Sequence, residues 1–333
     1  MLRLAPRGNL RLLQEQYFEA TFGGGEANVA VSLAQFGLDS AYLTLLPTND
    51  IGLACTRELR GFGVDTSPIV TKPGRIGVYF VEPGSNMRPS KVIYDRADSV
   101  IATAQLEDVD FTAAFSGRDW LHVTGITPAI SSNGAELTRE AVRVAKQLGL
   151  TVSCDLNYRS SLWKYGVEPQ SVMSELVPFV DVLIANEEDI QKMLGLEAAA
   201  VDVSSGELDT AEYQQLAETV FTKYPQLRLV ATTLRESKNA NQNDWAACVF
   251  DGSQFLVSRK YSITDIVDRV GGGDSFAAGF IYGLNELSDL REALEFAVAA
   301  SALNHTIRGD FNRVSPSEVL ALMGGDTSGR VKR

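Results

Sequence analysis

Short apolar runs alternate with helical segments over most of this 333-residue chain, and few folds accommodate that order. Residues 23–37 (GGGEANVAVSLAQFG) place Val29, Leu33 and Phe36 on one helical face and end on Gly37, a C′ glycine. SAYLTLL (40–46) reads as a buried strand, and NDIGLACTRELRGFG as a helix closed by Gly63. The rhythm returns after Ser99: strand WLHVTG, helix 133–148, strand TVSCDLN, helix 168–178, strand VDVLIAN, a helix from Glu187, a helix over 211–223 and strand LRLVATTL. A hairpin (WAACVFDG–SQFLVSRK), a helix over 289–306 and a short helix after Pro316 complete it. Such alternation predicts a largely parallel sheet covered on both faces. It breaks once, at residues 74–99, where IGVYFVE and KVIYDR flank a Pro/Gly/Asn-rich turn and predict an antiparallel hairpin. With residues 9–22, which read as a short polar-faced strand pair, this hairpin can form a small projecting sheet. The opening MLRLA reads as the tail of a strand that begins abruptly.

Charge and cysteine usage exclude several functions. A net charge of −12 argues against nucleic acid or an anionic membrane as partner, and an anionic substrate must then be attracted by local features. No apolar run approaches the roughly 18 residues of a membrane span. Cys55, Cys154 and Cys248 are odd in number and far apart, which allows neither a disulfide framework nor a CxxC metal site. With an N-terminal stretch broken by Arg, Pro, Gly and Asn, unlike a secretory signal, this points to a cytoplasmic protein. Two histidines, His122 and His305, are too few for a His-rich metal site and are expected to be structural.

The densest chemical signal is TDIVDRVGGGDSFAAGFIYGL (264–284). Gly271, Gly272 and Gly273 precede a helical run, so the first-turn N–H groups lie open to an anion. Asp274 among them would repel a phosphate, unless it takes a proton from the group that attacks that phosphate. The plainer alternative is a flexible loop with Asp274 as an N-cap. No GxxxxGK[ST] motif is present, and residues 23–28 lack the third glycine of a dinucleotide fingerprint.

Three further polar clusters stand out. Asp155-Leu156-Asn157-Tyr158-Arg159 follows a strand end, where an arginine suits a carboxylate or phosphate. Asn186-Glu187-Glu188-Asp189 follows another; its hard oxygens suit Mg2+ held mainly through water, or equally a helix cap with acids in the first turn. Tyr79, Arg88, Lys91, Tyr94 and Arg96 concentrate cations and phenols in the hairpin, as a lid over a small polyhydroxy acid or as a dimerising β arm.

Together these residues resemble the ribokinase/PfkB family of carbohydrate kinases over nearly the whole chain. The carriers are GGGEANVAVSLAQFG and Asp268-Arg269-Val270-Gly271-Gly272-Gly273-Asp274. The family's late motif is D-T-x-G-A-G-D, so this chain departs from it at Arg269 and Gly272. The resemblance implies a three-layer α/β/α fold with a mostly parallel central sheet and a small β-strand lid. It assigns residues 1–8, 23–73 and 100–325 to a nucleotide- and substrate-binding core, 9–22 and 74–99 to the lid, and 326–333 to a tail. Relatives carry a longer first strand, inside which this chain starts.

Within the family, MLRLAP, GVYFVEPGSNMRPSKVIYDRADS, DLNYR, TTLRES, DIVDRVGGGDSF and NHTIRGDFN are similar to the branch that phosphorylates 2-keto-3-deoxygluconate with ATP at its terminal hydroxyl. The likeness implies Asp274 as base and Gly271, Gly272 and Gly273 as anion hole. Gly23, Gly24, Tyr79, Tyr94, Arg96, Arg159 and Asp310 would meet the sugar acid. Thr232, Thr233, Leu234, Val298, Gly271 and Gly273 would line the nucleotide site. The family's N-x-x-E motif reads Asn186-x-x-Asp189 here and implies Mg2+; a monovalent cation is also allowed for, as is a homo-oligomer formed through the lid. A kinase for the galactonate epimer, for fructose or for ribose, and a catalytically silent sugar-acid sensor, remain as alternatives.

Overall fold

The computed structural model describes residues 1–196 and 210–329, so residues 330–333 of the expected tail lie outside the described residues. In chain order the elements are β1 (Leu2–Ala5), β2 (Glu19–Phe22), α1 (Gly25–Gln35), β3 (Leu45–Pro47), α2 (Asp50–Gly61), β4 (Val70–Lys72), β5 (Val78–Glu82) and β6 (Lys91–Asp95). There follow α3 (Phe111–Phe115), β7 (Trp120–Thr124), α4 (Ile126–Ile130), α5 (Ser132–Gln147), β8 (Thr151–Asp155), α6 (Pro169–Leu176), β9 (Val182–Ala185), α7 (Glu187–Leu194) and α8 (Thr210–Lys223). The chain continues with β10 (Leu229–Asn239), β11 (Gln242–Phe250), β12 (Phe255–Val257), β13 (Tyr261–Ile263), α9 (Gly272–Glu286), α10 (Leu290–Asn304) and α11 (Pro316–Met323).

A seven-stranded sheet runs β12-β11-β10-β9-β8-β7, with β13 also on β11. Strands β7 to β10 are parallel, and β11 turns back antiparallel to β10. Burial follows from the pleat. In β9, Val182 and Ile184 pack with α1, α9 and α10 on one face, while Leu183 and Ala185 pack with α5, α6 and α7 on the other. Neither face of that strand meets water, which is why it reads as an unbroken apolar run.

The α9–α10 pair forms the densest part of the core. A Cβ on Gly283 would lie 2.5 Å from Ala293 Cα, so only glycine permits this approach of the two backbones. Both helices are rich in Ala and Phe, and Phe276, Phe280 and Phe296 are wholly buried. Tight packing here fixes the start of α9.

Strands β2-β1-β5-β6 form a separate four-stranded sheet, the lid. Residues 2–5, expected in the core, therefore belong to the lid: β1 pairs antiparallel with β2 and parallel with β5. Residues 9–18 contribute turns in place of the expected first strand of a pair. The run at 40–46 also differs from expectation. Only Leu45–Pro47 is a strand, and it pairs with β4 in a two-stranded sheet apart from the main one. A cavity of about 430 Å3, lined by residues 42–46 and 120–123, lies between β3 and the edge strand β7.

Candidate active site

The carboxyl ends of β8 and β9, the middle of β10, the start of α9 and the inner face of the lid surround a cavity of about 440 Å3. Gly271 starts α9 in the left-handed region (φ 85), and a Cβ there would lie 2.3 Å from Asp310 O. Glycine is thus required twice over at this turn. Gly273 has nothing within 4 Å of where a Cβ would stand, so its side of the turn faces open space. The first-turn N–H groups of a 15-residue helix are presented there, with its positive dipole end.

Asp274 is buried at this helix start, and burial raises its carboxyl from 3.8 to about 7. The nearby carboxylates of Asp310 and Glu26 push in the same direction; Asn28 and Arg159 oppose them. Asn28 Nδ2 donates to Asp274 Oδ2 at 2.6 Å, and Asn28 Oδ1 accepts from Gly24 N at 3.2 Å. The first glycine motif therefore delivers an amide that orients the acid of the last one. Asn28 was not singled out in the sequence, although its place in GGGEAN was visible. A carboxyl with a pKa near neutrality can gain and lose a proton at working pH.

Asp310 is held by two groups from the lid. Arg3 Nη1 donates to Asp310 Oδ1 at 2.8 Å and Arg3 Nη2 to Asp268 Oδ2 at 2.5 Å. The Tyr79 hydroxyl donates to the other oxygen of Asp310. Burial opposes the charge of Arg3, but Asp268 and Asp310 more than offset it, and its pKa is raised. Gly23 is fixed by the same contact: a Cβ there would lie 2.1 Å from Asp310 Oδ2. Arg3 went unnoticed in the sequence because its partners are 265 and 307 residues away.

Tyr94 stacks on Tyr79 with ring centroids 6.2 Å apart. Arg96 follows β6 and presents Nε and Nη1 buried without a hydrogen-bond partner, and burial draws its pKa below the usual guanidinium value. Tyr79, Tyr94, Arg96, Arg159, Gly24 and Asp310 all line the cavity with Asp274. Arg88 and Lys91 do not. Arg88 pairs with Glu82 at 3.1 Å within the lid, and Lys91 is exposed.

On the core side, Asp155 is buried, and burial together with Asp189 and Asp274 holds its carboxyl well above the usual range. Asn186 and Asp189 form a capping box on α7: Asn186 Oδ1 accepts from Asp189 N at 2.9 Å, and Asp189 Oδ2 from Asn186 N at 3.1 Å. Asp189 Oδ1 accepts from Tyr158 N at 2.8 Å, which ties the β8 loop to α7; burial raises this carboxyl to about 6. Among the described residues no group of three His, Cys, Asp or Glu side chains could hold a metal by itself.

Only part of the expected nucleotide set reaches the cavity. Thr233 lines it, but Thr232 and Leu234, its neighbours in a strand of period two, are buried on the opposite face, Leu234 against Tyr213 and Ala246. Val298 lies inside the α9–α10 core and lines no part of it. Arg235, Asn243, Trp245, Arg269 and His305 join Thr233 instead. His305 Nδ1 donates to Ser301 O at 2.7 Å, and the ring lies 5.3 Å from that of Trp245.

A carboxyl near neutral pKa at an open helix N-terminus, in a cavity shared with Arg96 and the exposed Arg159, is the arrangement a phosphotransferase acting on a small anionic alcohol requires. The α/β/α sheet with its β lid is the ribokinase-like arrangement, and the protein belongs to the pfkB family of carbohydrate kinases, whose model matches residues 5–315. A solved 2-dehydro-3-deoxygluconokinase from Thermotoga maritima superposes with a TM-score of 0.91 at 46% identity, covering 98% of this chain and 96% of that one. A 2-dehydro-3-deoxygalactonokinase from Haloferax volcanii is 32% identical over 98% of this chain and 95% of its own. A fructokinase from Xylella fastidiosa with bound ATP, 21% identical, shares the fold with a TM-score of 0.77, covering 98% of this chain and 97% of its own. The protein is thus a carbohydrate kinase.

Proposed function

We propose that this kinase transfers the γ-phosphoryl group of ATP to the terminal (C6) hydroxyl of 2-keto-3-deoxygluconate, giving the 6-phosphate and ADP. The observation that carries the choice of a sugar acid is Arg96. Two of its buried nitrogens lack any partner in a cavity whose far wall holds Asp274. A buried cation left so costs stability unless a substrate anion completes it, and a carboxylate matches the planar guanidinium. Arg159, exposed at the end of β8, supplies a second cation at the mouth. Tyr79 and Tyr94 offer phenols to the hydroxyls, and Gly24 opens the floor.

Asp274 takes the proton of the terminal hydroxyl as its oxygen attacks the γ-phosphorus; the bond to the bridging oxygen breaks and ADP leaves. The N–H groups at residues 271–273 receive the equatorial oxygens of the transferring group, with Thr233 along the nucleotide. The lid keeps water from competing with the sugar hydroxyl. Mg2+, when bound with ATP, neutralises phosphate charge. Asn186 and both oxygens of Asp189 already accept backbone N–H bonds, so a hydrated ion reached through its water fits this mouth better than direct ligation. Asn157 Oδ1, buried without a partner beside Asp155, is a free acceptor for such water. Val92 lines the cavity, and the next residue of β6, Ile93, 40% exposed, lies on the outer face of the lid, where a second copy would seat. Three buried, unpaired thiols suit the reducing cytoplasm.

ADP release measured across a panel tests this: 2-keto-3-deoxygluconate, its galactonate epimer, the analogue with the carboxylate reduced to an alcohol, fructose and ribose. The proposal expects the gluconate acid to give the highest kcat/KM and the reduced analogue to lose about 100-fold, the worth of a charge-assisted contact. Higher kcat/KM on the epimer assigns the galactonate reaction instead. Equal activity on the reduced analogue overturns the role of Arg96, and no ADP with any member overturns catalysis.

A further inference from the structure

The lid and the glycine turn belong to different parts of the fold, yet both are bonded to one small piece of chain, the tip of the β10–β11 hairpin. On the lid side stands the turn between β5 and β6, where Ser85 and Arg88 exchange backbone bonds at 2.9 Å and Asn86 sits in the left-handed region (φ 52). Asn86 N donates to Asn241 Oδ1 at 2.6 Å, and Asn86 O accepts from Ala240 N at 2.8 Å. Contact is close enough that a Cβ on Gly84 would stand 2.9 Å from Ala240 Cβ. From the opposite side comes Arg269, two residues before Gly271. Its Nε donates to Ala240 O at 2.9 Å and its Nη2 to Asn239 O. Ala240 thus gives its N–H to the lid and its carbonyl to Arg269. Ile266 N, on the same approach to α9, donates to Asn241 O at 3.0 Å.

Arg269 has no carboxylate within ion-pairing distance among the described residues, and it is half-buried with Arg235 as a cationic neighbour. Two carbonyls satisfy its donors but do not neutralise its charge. It lines the cavity with the glycine turn, so an anion bound there stabilises it electrostatically. A threonine at this position, as in D-T-x-G-A-G-D, is too short to span to the hairpin tip.

We propose that Arg269 is a positioning residue, and that Arg269, the 239–241 tip and Asn86 form a latch coupling closure of the lid over the sugar to occupancy of the phosphoryl cradle by nucleotide. Phosphate bound at the turn holds Arg269, Arg269 holds the tip, and the tip holds the lid closed. Sugar under the closed lid returns the same free energy to the nucleotide, because coupling is reciprocal. The inference rests on the reading of residues 271–273 as that cradle.

The test is the affinity for whichever sugar acid the ADP-release panel selects. It is measured by calorimetry with and without the β,γ-imido analogue of ATP plus Mg2+, in the unaltered protein, Arg269→Thr, Arg269→Lys, Asn241→Ala and the Arg269→Thr/Asn241→Ala double variant. The unaltered protein is expected to bind sugar acid at least fivefold tighter with nucleotide present, the lower end of common coupling. Each single Thr or Ala variant should bring that ratio to within about twofold of one, the double variant should lower it no further, and Lys should restore part of it. Deuterium exchange at residues 84–90 should slow on nucleotide binding in the unaltered protein and not in Arg269→Thr. Asn241→Ala removes a partly exposed amide at a loop tip and carries the test should Arg269→Thr fail to fold. A ratio near one in the unaltered protein, or an undiminished ratio in both single variants, overturns the latch. Asp274→Asn, assayed alongside, reports separately: full turnover there refutes the cradle and base, and loss of turnover with undiminished coupling in the latch variants refutes the latch alone.

Discussion

Replacing Asp274 by Asn should abolish turnover and at the same time make the protein more stable at alkaline pH. Burial holds this carboxyl at about 7 where an exposed aspartate has 3.8, so the native state keeps its proton while the unfolded chain has lost it. A raised acid pKa means the stability contribution is fully present below pH 3.8 and is lost as pH rises through about 7. Above pH 7 the charged, buried carboxylate costs the fold about 4 kcal/mol, and between pH 5 and 8 the loss is about 3 kcal/mol, at 1.36 kcal/mol per pH unit. Asn is neutral throughout and still accepts the bond from Asn28 Nδ2. Melting curves by scanning fluorimetry from pH 5 to 8.5 should therefore show the gap between variant and unaltered protein widening in favour of Asp274→Asn. The widening should be on the order of 5 °C for a protein of this size. ADP release by the variant should fall by about 1,000-fold or more, the range of a lost general base. In the unaltered enzyme kcat/KM should climb as pH rises through about 7, as the base ionises. Turnover within tenfold of normal, or a melting gap that does not change with pH, would refute the reasoning.

Other substitutions separate binding from folding. Arg96→Ala should raise KM for the sugar acid about 100-fold in ADP-release assays while leaving KM for the alcohol analogue near its normal value, and thermal melts of the unliganded variant should rise because an uncompensated buried cation is gone. Gly23→Ala places a methyl against Asp310 Oδ2, 2.1 Å from its present position, and should displace Asp310 from Tyr79; calorimetry should show sugar-acid affinity reduced at least tenfold and denaturant melts a loss of about 1–3 kcal/mol. Arg3→Ala strands Asp268 and Asp310 together without their cation, and urea denaturation at pH 7.5 should show a loss of about 3–5 kcal/mol, part of it regained in Arg3→Ala/Asp310→Asn.

Elements whose character is local were legible in the chain. Helix α1 with Gly37 (φ 93) and helix α2 with its Asn49 cap and Gly63 (φ 88) stand where periodicity and cap chemistry put them. The β5–β6 hairpin and the β7-to-β10 sequence of strands and helices do likewise. Pairings across long separations were not legible. Whether 40–46 joins the main sheet depends on a neighbour strand that no local pattern names, and β3 pairs only with β4. The expected strand LRLVATTL stopped at Leu234 and the expected hairpin began at Trp245, yet β10 and β11 carry their ladder out to Asn239 and Gln242, because cross-strand bonds outweigh weak propensity there. In the site, Asp274 and the glycines announce themselves in one short motif. Asn28 and Arg3 act only through partners brought close by folding. Thr233 was separable from Thr232 and Leu234 in principle, since a strand alternates its faces, but which face meets the cavity is decided by α9.

The central claim is that phosphate is placed on the terminal hydroxyl of a keto-deoxy sugar acid. Phosphorus NMR of the product formed from ATP and 2-keto-3-deoxygluconate reads it directly. The account predicts one new phosphomonoester signal, split into a triplet by the two protons of the terminal CH2. A doublet from a secondary carbon, an acyl phosphate on the carboxylate, or inorganic phosphate alone would contradict it.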